Sequence, residues 1–166
     1  MFGQERENIE STLEVLNIQT GNREIIYREK CHFEAPNWSG DGKFFIINSN
    51  GRLYKIYRGK GVMEEIFTDF AQQCNNDHGI SPDGKQLVIS HHHQEPNANP
   101  GASTSTIYIL PITGGTPRKI TDKTPSYWHG WSPDGKTLVY VGEREREFDI
   151  YSISVNGGKE TRLTYT

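Results

Sequence analysis

Apolar residues along this chain come in short runs, each cut off by glycine, proline or a cluster of small polar residues. Phe44 to Ile47, Leu87 to Ile89 and Leu138 to Val141 are such runs. Each follows a near-copy of one hexapeptide: Trp38-Ser39-Gly40-Asp41-Gly42-Lys43, Ile80-Ser81-Pro82-Asp83-Gly84-Lys85 and Trp131-Ser132-Pro133-Asp134-Gly135-Lys136. Proline presets the first corner of a type I turn, and glycine accepts the left-handed conformation that closes a three-residue hairpin loop. Asp-Gly between β-rich runs is a strong hairpin signal. The first copy has Gly40 in place of proline, which is also a turn residue.

A second landmark follows each turn. It is an apolar or aromatic residue and, twelve positions on, another apolar residue usually followed by threonine: Tyr54 with Ile66, Tyr108 with Ile120-Thr121, Tyr151 with Leu163-Thr164. Leu13 and Ile25 reproduce it without a turn copy upstream. Glycine-rich reversals lie between the two members. Each unit thus resolves into strands a to d: 33–38, 43–48, 52–57 and 63–68 in the first; 77–80, 86–91, 105–111 and 116–121 in the second; 127–131, 137–142, 148–154 and 160–164 in the third. A half unit with only c (11–18) and d (23–28) precedes them. Ile107-Tyr108-Ile109-Leu110 is continuously apolar, as a strand buried on both faces should be. Four short antiparallel strands recurring every 40 to 50 residues are the pattern of β-propeller blades packed face to face. The expected fold is all-β: three complete four-stranded blades (33–68, 77–121 and 127–164) after an N-terminal half blade (10–28), short of a closed ring. Open blade faces favour self-association, or completion by a C-terminal remainder.

Composition sharpens the β assignment. Sixteen Ile and six Val stand against seven Leu and four Ala, a choice that suits a pleated surface better than a helix. The formal net charge of −3, with scattered Lys and Arg, leaves no basic stripe for nucleic acid. No apolar run approaches the roughly 18 residues of a membrane-spanning helix. The start, Met1 to Glu7, lacks the apolar core of a secretory signal, so the expectation is a cytoplasmic chain as given, or a periplasmic one if a signal has been removed. Cys31 and Cys74 stand at comparable points before successive turns and are expected as free thiols rather than a disulfide.

The Trp-Ser-Pro-Asp-Gly-Lys turn, the Asp149-Ile150-Tyr151 strand and the Gly157-Gly158 … Arg162-Leu163-Thr164 ending resemble the WD-like repeats of the TolB-type β-propellers, over residues 11–165. The resemblance is specific for the repeat type. It implies a propeller like that of the periplasmic TolB of the Tol–Pal system, or like the propellers attached to prolyl oligopeptidase-like hydrolases. The α/β domain that precedes the TolB propeller has no counterpart in this sequence.

Blade topology sorts the loops onto two faces. The a–b and c–d turns lie on one, where Asp41, Gly42, Pro82, Asp83, Gly84, Pro133, Asp134 and Gly135 read as structural turn residues, since Asp in such turns bonds the backbone two residues on. The b–c loops and blade-to-blade connections lie on the other. That face carries the long b–c insertion of the second blade (91–104), with His91, His92, His93 and Glu95, and receives Asp77, His78, Tyr127, Trp128 and His129 from strands a. His78 and His129 both stand three residues before the turn serine. The leading expectation is a non-enzymatic scaffold that binds a protein or peptide at this loop-rich face around the channel mouth, without a cofactor. The rival is a metal-dependent carbohydrate- or peptide-processing enzyme on the same face. Imidazoles with a carboxylate suit a divalent transition metal, and His78, His129 and Asp77 are its best ligand set. A third reading is the gating propeller of a larger hydrolase. Glu143 to Glu147 alternates charge and reads as a solvated hairpin tip. The chain has no Gly-x-Ser-x-Gly elbow, Gly-rich phosphate loop or Cys-x-x-Cys spacing.

Overall fold

The computed structural model describes residues 9–93 and 104–165, so Glu95 and most of the 91–104 insertion lie outside the described residues. Fourteen strands are seen there: β1 (Ser11–Leu16), β2 (Arg23–Glu29), β3 (Glu34–Trp38), β4 (Phe44–Ser49), β5 (Arg52–Tyr57), β6 (Met63–Glu65), β7 (Cys74–Ile80), β8 (Gln86–His92), β9 (Ser105–Pro111), β10 (Arg118–Lys119), β11 (Ser126–Trp131), β12 (Thr137–Arg144), β13 (Glu147–Ser154) and β14 (Thr161–Arg162). They form three four-stranded antiparallel meanders, β3 to β6, β7 to β10 and β11 to β14, with β1–β2 as a two-stranded sheet. These are blades 1, 2 and 3 and the half blade of an all-β, unclosed propeller.

Three apolar layers hold the sheets together, one at each junction. Leu13 and Tyr27 of the half blade meet Phe45, Ile47 and Ile56. Ile46, Leu53 and Ile66 of blade 1 meet Leu87, Ile89, Tyr108 and Leu110. Val88, Ile107 and Ile120 of blade 2 meet Leu138, Tyr140, Tyr151 and Ile153. Alternate residues of one strand therefore enter different layers, which is why β9 is buried from Ser105 to Leu110 and its sequence does not alternate.

The turn motif closes on itself. In the third copy the Gly135 N–H donates to the Ser132 carbonyl (2.8 Å), so that carbonyl is taken. Ser132 Oγ then accepts the Thr137 N–H (2.9 Å) and donates to Asp134 Oδ1 (2.6 Å). Ser81–Asp83 and Ser39–Asp41 repeat the serine-to-aspartate bond at 2.6 and 2.9 Å. Gly42, Gly84 and Gly135 sit at φ of 74°, 71° and 69°. Because the serine side chain stands in for its own carbonyl, Ser132 N–H reaches the Thr137 carbonyl across four residues, not the three expected.

Threonine in the second landmark does similar work. The landmark residue donates its N–H to strand c (Ile120 to Ile107, Leu163 to Ile150, both 2.8 Å), and the next threonine Oγ1 accepts the returning N–H (3.0 and 2.9 Å). Side chains thus continue the ladder where the backbone leaves it, and strands d are shorter than expected.

Three local expectations are corrected. In the half blade, Leu13 pairs with Tyr27 and a bulge follows, so Tyr27 enters the core while Ile25 is exposed; Leu13 and Ile25 are not the matching pair. Strand a of blade 2 begins at Cys74, with an irregular register between Cys74 and His78. The Glu143 to Glu147 run is only partly a solvated tip. Glu145 and Arg146, at positive φ, are the whole turn, while the partly buried Arg144 guanidinium binds Glu160 (2.9 Å), the Pro125 carbonyl (2.8 Å) and Ser126 Oγ (2.9 Å). Arg144 above all holds the Glu160 carboxyl down at about 2, and Tyr140 also donates to it at 2.7 Å.

Candidate functional site

On the loop face, strand pleating decides which predicted residues meet. Asp77 and His78 are neighbours on β7 and point to opposite sides. Asp77 faces blade 3. Its carboxylate accepts from Asn75 Nδ2 (2.9 Å), and burial pushes its pKa up against the opposing pull of the nearby His129 and His92. His92 in turn meets the Tyr127 ring edge-on, with centroids 6.4 Å apart. Asp77, His92, His129, Tyr127 and Asn75 thus form one polar group spanning β7, β8 and β11.

His78 goes the other way. It is buried against blade 1, with both ring nitrogens lacking a hydrogen-bond partner. Burial depresses its pKa, and the nearby Ile46, Asn75 and Ala35 backbones only partly offset that effect. The ring is therefore a neutral packing group. The set His78, His129 and Asp77 does not assemble, and among the described residues no three His, Cys, Asp or Glu side chains gather to hold a metal ion.

The expected start of the long loop is mostly strand, since β8 runs through His92. His91 is buried edge-on against Phe70 and Tyr108, with centroids 5.9 and 6.0 Å away. Burial first, then His93 and His92, push its pKa down to about 4. His93 sits beside His91, its Nδ1 3.4 Å from Thr106 Oγ1. Trp128 turns inward, its indole covering Gly79 so closely that a Cβ there would lie 2.1 Å from the ring. The Trp128 backbone N–H donates to Ser90 Oγ at 2.9 Å. His78, His91 and Trp128 build the blade contacts; Asp77, His129, His92 and Tyr127 are the group left outside those contacts.

Beside this group lies a cavity of about 230 Å³, lined by His32, Glu34, Asn48, Asn50, Gly51, Cys74, Asn75 and Asn76. Asn48 is fixed by donating to the Cys74 and Asn75 carbonyls (both 2.8 Å) and accepting from Gly51 N (3.0 Å). Asn50 and Gly51, at φ of 52° and 80°, form the two-residue turn that opens the cavity rim. A side chain at Gly51 would put its Cβ 2.8 Å from the Gln72 carbonyl oxygen. His32 Nε2 lies 3.7 Å from Glu34 Oε2. Burial raises the Cys74 thiol to about 12, so this wall is a protonated thiol and not a nucleophile. Cys31 is also free. Reading the sequence alone missed His32, Glu34, Asn48 and Asn50; the Asn50-Gly51 hairpin signal was the one available pointer to them.

Carboxamides, a carboxylate and imidazoles held by rigid strands can donate to and accept from a partner's backbone and polar side chains. No family model matches the chain. It is 48% identical over 159 residues to an uncharacterized protein of Agrobacterium fabrum, a match covering 95% of the chain and 52% of that protein. A solved structure of a candidate TolB from Agrobacterium tumefaciens superimposes with a TM-score of 0.84 at 48% identity, over 93% of the chain and 53% of that structure. The Tol-Pal system protein TolB of Francisella tularensis is 26% identical over 141 residues, 81% of the chain and 30% of that protein. The chain thus spans about half the length of the first two relatives. Its repeats, its meander blades and these relatives taken together make the chain similar to the TolB-like β-propellers.

Proposed function

We propose that the chain is a non-enzymatic scaffold that binds a protein or peptide through its loop face. The observation that carries this reading is the joined polar surface in which the cavity of His32, Glu34, Asn50 and Asn76 continues through Asn75 to Asp77, His92 and His129. Its residues come from all three blades, so rigid-body packing presets their spacing, and a partner loses less free energy to ordering the site. The likeness to TolB, a protein of the Tol–Pal system, supports a role in assembly with other proteins. A metal-dependent enzyme has no comparable support, because His78 turns away from Asp77 and His129 and leaves that ligand set incomplete.

Selection of a displayed peptide library against the immobilised chain tests this. Selected peptides should lose at least about tenfold in affinity with Glu34→Ala or Asp77→Ala and be unmoved by Asp83→Ala on the turn face. Peptides indifferent to both loop-face substitutions would sink the reading.

A further inference from the structure

The cavity beside Asn75 lies at the junction of blades 1 and 2, both complete, and most of its fixed hydrogen-bond donors are already committed. Both N–H bonds of the buried Asn48 amide go to the Cys74 and Asn75 carbonyls. The Cys74 N–H goes to the Gly51 carbonyl (2.9 Å), its thiol to the Ala71 carbonyl (3.4 Å) and the Gly51 N–H to Asn48 Oδ1. Asn75 Nδ2 donates to Asp77. What the wall has left is acceptor capacity. Asn48 Oδ1 keeps a second lone pair, as does Asn75 Oδ1, which takes the Asp77 N–H at 2.9 Å. The exposed Glu34 carboxylate adds a negative charge, and His32 Nε2, 3.7 Å from its Oε2, is beyond hydrogen-bond reach. Among the described residues no lysine or arginine lines the cavity. Arg52, next in the chain to Gly51, commits its guanidinium elsewhere, to Glu65 (2.6 Å) and Gln72 (3.1 Å).

We infer that this cavity takes the lysine or arginine side chain of a bound peptide. The inference rests on the peptide-binding reading and names what such a peptide must carry. An ammonium or guanidinium has donors and no acceptor, the complement of a wall rich in free acceptors. A carboxylate or phosphate would meet donors already committed. An apolar side chain would strip Glu34 of water without giving it a partner. A metal ion would find one carboxylate in the cavity, and among the described residues no three His, Cys, Asp or Glu side chains gather to hold one. The volume selects a single side chain. About 230 Å³ has room for several waters at about 30 Å³ each, yet falls short of the roughly 300 Å³ at which sites for whole small ligands begin. Asn50 and Asn76, exposed at the rim, can offer an amide oxygen or nitrogen to the peptide backbone beside that side chain.

Selecting the displayed peptide library side by side on the wild-type chain and on Glu34→Gln tests this. On the wild type, lysine plus arginine should be enriched at least about fivefold over the input at one peptide position, and the enrichment should vanish on Glu34→Gln. A synthetic peptide from the wild-type selection then closes a double-mutant cycle. Exchanging its cationic residue for norleucine should weaken binding at least about tenfold to the wild type and less than about threefold to Glu34→Gln. Asn50→Asp reads the same assignment as a gain, since a second carboxylate at the rim should tighten the cationic peptide at least about threefold. Asn50 sits at φ 52°, a conformation that aspartate also tolerates, and circular dichroism checks the fold of each variant. Peptides selected without a cation, an enrichment that persists on Glu34→Gln, or equal or weaker binding to Asn50→Asp overturns the inference and leaves peptide binding standing. A selection that recovers no peptide overturns both.

Discussion

The turn face and the loop face of the propeller are made by the same strands and obey different rules. On the turn face three copies of one motif satisfy their own polar groups within six residues: serine, aspartate and glycine bond one another and the backbone between them. On the loop face polar groups reach between blades, from Asn48 to the Cys74 carbonyl and from Trp128 to Ser90, and some reach nothing, as His78 and the His91 Nδ1 show. Local satisfaction makes a face that repeats and needs no partner. Satisfaction across blades makes a face whose chemistry depends on how the blades are stacked, which is where a binding surface can vary without loss of the fold.

Four measurements break or sharpen this contrast. The largest effect is expected from Leu87→Ala, which empties the layer beneath both faces. It should lower stability by about 2–5 kcal/mol in urea unfolding and blur the distinction, because both faces rest on that layer. Next comes acid. His91 is held near 4 in the fold against about 6.5 in an unfolded chain. The unfolded state therefore binds the extra proton between those values, so stability present above about pH 6.5 is lost as pH falls toward 4. His78 acts with the same sign. The aspartates of the turns and Glu160 are depressed carboxylates, whose contribution holds above about pH 4 and is lost only below it. Urea midpoints followed from neutral to acid pH should thus fall in two stages. His91→Leu should remove much of the first stage and leave the second; an unchanged first stage would assign it to other groups.

Third, Gly79→Ala forces a methyl against the Trp128 ring and should cost about 1–3 kcal/mol, with a shift in tryptophan fluorescence from the moved indole. The smallest effect is expected on the turn face. Ser132→Ala removes one donor and one acceptor at a solvated corner and should cost about 1 kcal/mol, leaving peptide binding at the loop face unaltered. A loss of binding there would show that the two faces are coupled.

Much of the fold was legible because the signals that define it are local. Asp-Gly turns, Ile-rich runs and the apolar-threonine landmark each act within a few residues, and twelve full-blade strands appear where they were expected, give or take a few residues. The half blade was read one step out of phase, because a bulge after Leu13 inserts a residue that no residue type announces. Arg144 looks solvated in the sequence because its partner, Glu160, lies sixteen residues away, just before β14.

The site was far less legible. Alternation along β7 is a sequence property, and it already separates Asp77 from His78. Which of the two is buried against a neighbouring blade depends on where blades 1 and 3 stand, and only packing decides that. His32, Glu34 and the Asn48–Asn50 corner have no motif of their own; they become a cavity wall when the Cys74 to Asn76 segment folds across from the next blade.

The sequence by itself determined the blades, their order and the character of the turn face, since those follow from backbone preferences and hydrogen bonds closed within one hairpin. The tertiary structure alone decided which histidines are buried and which polar groups from different blades lie together. These depend on the distance and facing of whole sheets, and no local preference encodes them.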